Sequence, residues 1–163
     1  MGISELLDFT KNVSLTLEPV NIDAWIREVL EEQTYPEGIQ LKETLHSGLT
    51  VSLDKEYFRR LLINVITNAV HALGEENAVG KELTVETALL DKHLEIRIVD
   101  TGPGIPEEIY EKIFEPLFST KGFGVGLGLT IAKDIMEKHH GILDIQSEIG
   151  KGTTVILRLP LEI

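Results

Sequence analysis

The chain contains 163 residues with no cysteine, and its formal net charge is −12 at pH 7. This length fits one domain that would bury about 70% of the surface of the unfolded chain, and the hydrophobic fraction of 42% is ordinary for a globular protein. The negative charge argues against a nucleic acid or an anionic membrane surface as partner. The lack of cysteine excludes disulfides and zinc-thiolate sites. No window approaches the ~20 apolar residues of a transmembrane helix.

A short segment with a helical pattern precedes the predicted domain. Residues 3–13 have the apolar stripe of a helix, but the segment is too short to be stable alone. We therefore expect residues 1–17 to be the end of a longer helix with its linker, and residues 18–163 to form the domain. Glu18-Pro19-Val20, at the start of that domain, is predicted to be a linker.

Cap and turn residues divide the domain into helices and strands. Asn21 or Asp23 can cap a first helix, and Asp54 can cap a second, longer one. Asp91-Lys92 is predicted to be the turn of a strand pair, and Gly141 to end the last helix. The predicted elements are a helix over 24–33, strands over 39–45 and 49–53, a helix from Asp54 to Leu73, strands over 82–90 and 94–100, a helix over 127–139, and strands over 142–148 and 153–159.

The long predicted helix carries two asparagines on one side. Asn64, Asn68 and His71 fall together at i, i+4 and i+7, opposite an apolar stripe formed by Leu62, Ile66, Ala69 and Leu73. This polar side could simply be solvated. However, asparagine is a poor helix former, and its carboxamide oxygen is a suitable magnesium ligand where phosphate oxygens and waters supply the rest.

Asp100 ends a strand on its apolar side. Alternation places it on the same face as Leu94, Ile96 and Ile98, so the carboxylate points toward the core and needs a hydrogen-bond donor. The donor could be a backbone amide of the following Gly102-Pro-Gly104 turn, or the exocyclic amine of adenine. Gly102 and Gly104 would let the backbone approach a planar ring, and the inward-facing Thr153 could add a hydroxyl and a bridging water.

A stretch rich in glycine and proline runs from 101 to 125, and loops that long are uncommon unless they serve as lids or binding loops. Glycines alternate before the next helix, at Gly122, Gly124, Gly126 and Gly128. Their backbone N–H groups and the helix dipole could cradle phosphates, although many helices merely begin after a flexible loop. Lys121 could be the cation for the terminal phosphate or a solvated lysine, and Phe114 and Phe118 could be apolar anchors or simply pin the loop.

The order of these motifs resembles one known family. It is carried by Asn64–Ala69, Asp100–Ile105, Phe114–Phe118, Gly122–Leu129 and Gly150–Thr153. The pattern is similar to the catalytic and ATP-binding domain of sensor histidine kinases, the two-component signalling enzymes of the GHKL (Bergerat-fold) superfamily. The match is specific over 54–160 and looser over 18–53. The resemblance implies an α/β fold, a two-layer sandwich of a mixed β-sheet with helices on one face, and a glycine-rich ATP lid.

The resemblance also assigns roles to residues. It implies that Asn68 binds Mg²⁺, that Asn64 assists one turn earlier, and that Asp100 recognises the adenine amino group. Lys121 would act with the two asparagines in catalysis. His71 and Ala72 occupy positions where many relatives carry a basic and an aromatic residue. The full nucleotide site implied in this way comprises Asn64, Asn68, His71, Ala72, Asp100, Gly102, Gly104, Ile105, Lys121, Gly122, Gly124, Val125, Gly126, Leu127, Gly128, Leu129 and Thr153.

Two absences narrow the expected activity. Relatives that hydrolyse ATP carry a glutamate general base where this chain has Asn64. Moreover, none of the five histidines is followed by the acidic residue and proline expected of the phosphoacceptor. The resemblance thus implies a protein-histidine kinase domain that binds ATP and Mg²⁺ and transfers the γ-phosphoryl to a histidine on a separate dimerisation domain. Its further partner would be a response regulator receiver domain, and its location cytoplasmic, in a full-length protein that could be membrane-anchored.

Two other functions remain open from the sequence. The chain could be an ATP-hydrolysing clamp, for which turnover by the domain alone would speak. It could also be a docking module that keeps the fold without binding nucleotide. The intact Asn68, Asp100, Gly102 and Gly104 argue against this second alternative.

Overall fold

The computed structural model describes residues 14–110 and 127–161. The helix end predicted over 3–13 lies outside these residues, so the expected boundary at residue 17 stays a prediction. In chain order the elements are β1 (Glu18–Asn21), α1 (Ile22–Glu32), β2 (Gln40–Leu45), β3 (Thr50–Leu53), α2 (Lys55–Leu73), β4 (Glu82–Leu90), β5 (His93–Asp100), α3 (Glu107–Tyr110), α4 (Leu127–Lys138), β6 (Ile142–Glu148) and β7 (Gly152–Pro160). None of the helices in these ranges is long and apolar enough to cross a membrane.

A mixed five-stranded sheet forms the main layer. Its strand order is β2-β4-β5-β7-β6. Only the β2–β4 pair is parallel, and the other three pairs are antiparallel. Helices α2 and α4 pack against this sheet and against each other, in agreement with the fold class that the resemblance implies. A separate antiparallel pair, β1 with β3, completes the described strands.

The core lies between the sheet and the helices. The inward-facing side chains of β5, Leu94, Ile96 and Ile98, are buried as their alternation predicts. The apolar stripe of α2 faces them, and Phe58 at its start is fully buried with its ring centroid 6.0 Å from that of Trp25 in α1. The apolar residues that recur every second position on β5 and about every 3.6 positions on α2 therefore pack together in one layer.

Asp54 connects three segments at the start of α2. Its Oδ1 accepts from the Tyr57 N–H at 3.0 Å, as predicted for the helix cap, and its Oδ2 accepts from the Thr16 N–H at 2.8 Å. Its own N–H donates to Nε2 of His139 at 2.9 Å. His139 Nδ1 must then carry the ring proton and donate to the Ile135 carbonyl at 2.8 Å. Burial lowers the pKa of His139, which keeps the ring neutral.

The prediction of a linker over Glu18-Pro19-Val20 is wrong, because these residues belong to strand β1. Glu18–Asn21 pairs with β3, and only Val20 of this strand is buried. Four residues with one buried side chain and a proline give almost no strand pattern, since proline is depleted in strands and cannot donate to a ladder. Asn21 is the cap of α1, accepting from the Ala24 N–H at 3.2 Å, so this helix begins two residues earlier than predicted.

Three other boundaries show how the local chemistry works. Asp91 and Lys92 have φ values of 50° and 66°, as expected for the tight turn between β4 and β5. Helix α4 ends at Lys138 rather than 139, with His140 in the left-handed conformation (φ 61°) and the Gly141 N–H donating to the Met136 carbonyl. The predicted loop over 101–125 contains the short helix α3, which follows Pro106 and opens with two glutamates.

Candidate functional site

A cavity lies where α2, the turn after β5, the start of α4 and the β6–β7 pair meet. Three of its lining residues, Asn68, Asp100 and Thr153, carry polar side chains, and the others are apolar or glycine. The lining residues are Val65, Asn68, Ala69, Ala72, Asp100, Pro103, Gly104, Ile105, Leu129, Ile145, Thr153 and Val155. An apolar pocket with a few convergent polar groups is the usual form of a small-molecule site.

Asp100 is the charged group of this cavity. It is 5% exposed, and its Oδ1 accepts from the Gly102 N–H at 2.8 Å. The backbone donor considered from the sequence is therefore present. Burial raises the pKa of Asp100 to about 6, against the opposing effect of the hydrogen bonds from the Gly102 and Thr153 backbones. The carboxylate is held in position yet remains destabilised by burial, so a further donor from a ligand would stabilise its charged form.

Asn68 supplies an unsatisfied group to the same cavity. Its side chain projects from α2, and its Nδ2 is buried without a hydrogen-bond partner within the described part of the chain. A buried donor in that condition is costly in free energy. Because a carboxamide can turn by 180° to present its oxygen instead, this position can meet either an acceptor or a cation of a ligand.

The other predicted residues of α2 divide into two groups. Ala72 is buried and lines the cavity. Asn64 is half-buried one turn from Asn68 and is not among the described residues that line the cavity. His71 has a half-exposed side chain whose Nε2 lies 3.4 Å from Glu75 Oε1. The face at i, i+4 and i+7 therefore brings only Asn68 to the cavity.

Gly102 and Gly104 are required by the protein itself. A Cβ at Gly102 would lie 2.8 Å from both Ala72 Cβ and Asp100 Oδ1. Gly104 has φ +85°, and a Cβ there would lie 2.3 Å from the Glu148 carbonyl oxygen. These contacts explain both glycines without any ligand, and their predicted role beside a planar ring stays a prediction.

Ser147 was not identified from the sequence, although it supports two of the predicted site residues. Its Oγ lies 2.8 Å from Thr153 Oγ1 and accepts from the Ile105 N–H at 2.8 Å. It also donates to the Gly152 carbonyl at 3.1 Å. Ser147 and Thr153 are register partners in the β6–β7 pair, so pairing the two predicted strands about the intervening Gly150 would have revealed it.

The predicted phosphate side of the site lies largely outside the described residues. This applies to Phe114, Phe118, Lys121, Gly122, Gly124, Val125 and Gly126. The helix predicted after the glycines does begin at Leu127 and includes Gly128. Leu129 in its first turn is buried and lines the cavity, and its predicted role in nucleotide binding stays a prediction. The start of α4 therefore faces the same space as Asp100 and Asn68.

The described residues contain no group of three or more His, Cys, Asp or Glu side chains that could hold a metal ion. Asn68 alone offers a single carboxamide oxygen at the cavity. Mg²⁺ usually takes one or two protein ligands and completes its octahedron with waters and phosphate oxygens. The donor set therefore fits a magnesium ion that arrives with a phosphate-bearing ligand, and does not fit a metal bound by protein alone.

Comparison with known sequences identifies relatives of this fold. Residues 53–163 match the family described as histidine kinase-, DNA gyrase B-, and HSP90-like ATPase. The sensor histidine kinase ZraS of Salmonella typhimurium is 33% identical over 98% of this chain and 34% of its own length. The C4-dicarboxylate transport sensor protein DctS of Rhodobacter capsulatus is 37% identical over 98% of this chain and 25% of its own length. The chain thus spans about a third of the first of these relatives and a quarter of the other.

A solved structure agrees with this assignment. The catalytic domain of the histidine kinase ThkA superposes with a TM-score of 0.75 at 29% identity, covering 90% of this chain and 97% of that one. It corresponds to the described fold nearly from end to end. The chain therefore belongs to the histidine kinase-, DNA gyrase B- and HSP90-like ATPase family, and it corresponds to the part of a sensor histidine kinase that the solved ThkA structure represents.

Proposed function

We propose that this domain binds Mg-ATP and transfers the γ-phosphoryl group to a histidine on a separate dimerisation domain. The observation that carries the proposal is the apolar cavity in which the buried Asp100 carboxylate faces the same space as the unsatisfied Asn68 carboxamide. The relatives named as sensor histidine kinases support the reaction class. Proteins of that kind require a phosphoacceptor and a response regulator, which would be this domain's partners.

Asp100 would recognise the base. Its carboxylate accepts hydrogen bonds only, so it suits the exocyclic amine of adenine and opposes a carbonyl oxygen at the same place. The aliphatic walls formed by Ala69, Ile105 and Val155 would enclose the ring. A donor from the base would also offset the burial that raises the pKa of Asp100 to about 6.

Asn68 would hold the magnesium ion together with the phosphates. When bound, the ion neutralises charge on the triphosphate, which matters in a chain whose net charge is −12. Asn64, one turn earlier, would orient waters of the same ion. Lys121 and the backbone of Gly122, Gly124, Gly126 and Gly128 would hold the phosphates, in keeping with the placement of α4 at the cavity.

Phosphoryl transfer rests on positioning and charge neutralisation rather than on covalent chemistry by the protein. Asn64 stands where an activating carboxylate would be needed for hydrolysis, so bound ATP would be kept for transfer. His139, the most buried described histidine, has both ring nitrogens engaged with Asp54 and Ile135. It is thus unsuited to accept phosphate, and the attacking imidazole would come from the dimerisation domain in the cytoplasm.

Calorimetry with a non-hydrolysable ATP analogue, with and without Mg²⁺, tests the binding step. We expect binding that strengthens with Mg²⁺ and a phosphate release rate near background when ATP replaces the analogue. Addition of a dimerisation domain of the sensor kinase type should then yield acid-labile, base-stable label from [γ-³²P]ATP. Failure to bind any adenine nucleotide would overturn the proposal, and rapid turnover by the domain alone that is lost in Asn64→Ala would favour the ATP-hydrolysing clamp.

A further inference from the structure

The hydroxyl of Ser147 has a complete set of hydrogen-bond partners. A serine hydroxyl donates one hydrogen bond and accepts two, and Ser147 Oγ has three neighbours within 3.1 Å, namely the Gly152 carbonyl, the Ile105 N–H and Thr153 Oγ1. The amide can only donate, and the carbonyl can only accept. All three contacts are used only when Ser147 donates to Gly152 and accepts from the Thr153 hydroxyl.

This arrangement fixes the direction of the Thr153 hydroxyl. Its proton lies on the bond to Ser147, so Thr153 Oγ1 presents lone pairs to the cavity that it lines. Thr153 is also the register partner of Asp100 across the β5–β7 pair. Two hydrogen-bond acceptors therefore stand side by side at the same wall of the cavity.

We propose that Ser147 is a positioning residue that gives the site its preference for an amine-bearing base, because it holds the Thr153 hydroxyl as an acceptor beside Asp100. This inference rests on the proposed nucleotide binding. A base with an exocyclic amine meets two acceptors, whereas a base with a carbonyl oxygen at that position meets repulsion from both. Without Ser147, the Thr153 hydroxyl can turn and donate its proton into the cavity.

A pair of diphosphates measures this preference directly. ADP and inosine diphosphate have the same sugar and phosphates, but the latter has a carbonyl oxygen in place of the exocyclic amine. Calorimetry on the wild-type chain should give a lower Kd for ADP. In Ser147→Ala we expect the ratio of the two Kd values to fall by roughly three- to tenfold, the usual range for one neutral hydrogen bond.

A double-mutant cycle separates positioning from a merely structural role. In a Thr153→Val background no hydroxyl remains to be oriented, so adding Ser147→Ala should leave the ratio unchanged. Ser52→Ala, which alters an exposed serine of β3, is the matched control and should preserve the wild-type ratio. Ser147→Cys, which keeps nearly the same volume with a much weaker acceptor, should show the same fall if Ser147→Ala does not fold.

The outcomes are distinguishable. Equal weakening of ADP and inosine diphosphate by Ser147→Ala would overturn the inference, because a structural anchor affects both ligands alike. A fall in the ratio that persists in the Thr153→Val background would overturn it too. Failure of the wild-type chain to bind either diphosphate would overturn the proposed function itself, and this inference with it.

Discussion

Asp54 and Asp100 are two carboxylates with the same burial, each 5% exposed, yet their surroundings differ. Asp54 accepts backbone N–H groups on both oxygens and donates its own N–H to His139, so all its partners belong to the protein. Asp100 has the Gly102 amide on Oδ1 and lines a cavity next to an unsatisfied carboxamide. Burial alone therefore does not distinguish a structural carboxylate from a binding one; the partners do.

Substitution of asparagine at each of the two positions should show the difference between them most clearly. Asp100→Asn keeps an oxygen for the Gly102 N–H but turns a donor toward the adenine amine. We expect the Kd for ADP to rise about 100-fold, the upper range for a hydrogen bond to a charged group. Asp54→Asn keeps a capping oxygen and should leave the Kd unchanged in calorimetry. Equal effects on binding would contradict the distinction.

Removal of the Asp54 side chain should instead affect stability. Asp54→Ala deletes the cap of α2 and the acceptor for Thr16, so we expect the free energy of unfolding to fall by about 2–3 kcal/mol. Urea denaturation measures this loss. Below the transition the folded fraction should still bind ADP with the wild-type Kd. A loss of binding without a loss of stability would show that Asp54, too, serves the site.

The pH dependence of stability sharpens the difference further. Burial raises the pKa of Asp100 from 3.8 to about 6, so between these pH values the native state holds a proton more tightly than the unfolded state. The wild type should therefore lose stability relative to Asp100→Asn as the pH rises from about 4 to about 7. With some discount for incomplete burial, the change should be about 2 kcal/mol in urea titrations. A constant difference across this range would contradict it.

His139 provides the smallest effect and the opposite sign. Burial lowers its pKa below 6.5, so its contribution is present above that value and is lost as the pH falls through the folded-state pKa. His139→Phe removes the acceptor for the Asp54 N–H and should cost about 1 kcal/mol at pH 7.5. The difference from the wild type should shrink as the solution is acidified. Urea titrations at pH 7.5 and pH 5 test this, and a gap that widens in acid would refute it.

Local patterns predicted most of this fold and, within the candidate site, the inward direction of Asp100. Asp54 as a cap, the Asp91-Lys92 turn and the inward Asp100 each depend on residues close in sequence, where periodicity and turn chemistry operate. Strand β1 could not be predicted, because it contains Pro19 and its strand partner, β3, lies far away in the sequence. The residues next to β1 in the sequence do not indicate that it pairs with β3.

Contacts across paired strands and between distant segments explain which supporting contacts of the site and of Asp54 were not predicted. Ser147 acts through Thr153 and Ile105, and the second oxygen of Asp54 is taken by Thr16, all from other segments. The glycines at 102 and 104 were predicted for a reason that concerned a ligand, whereas Ala72 and Glu148 already require them. The residue types indicated which segments contain the candidate site. The contacts in the folded structure show which side chain holds another in position.

The β5–β7 pair has a consequence for how the domain is made. The central strand acquires its β4 neighbour through a tight hairpin, but its other neighbour is the last described strand, so the topology has many long-range contacts. Pairings of this kind form late and slowly. During synthesis on the ribosome, the cavity wall that Asp100 and Thr153 share cannot form until Thr153 has been synthesised. Emergence of strand β7 would thus complete the described core and the cavity in a single event.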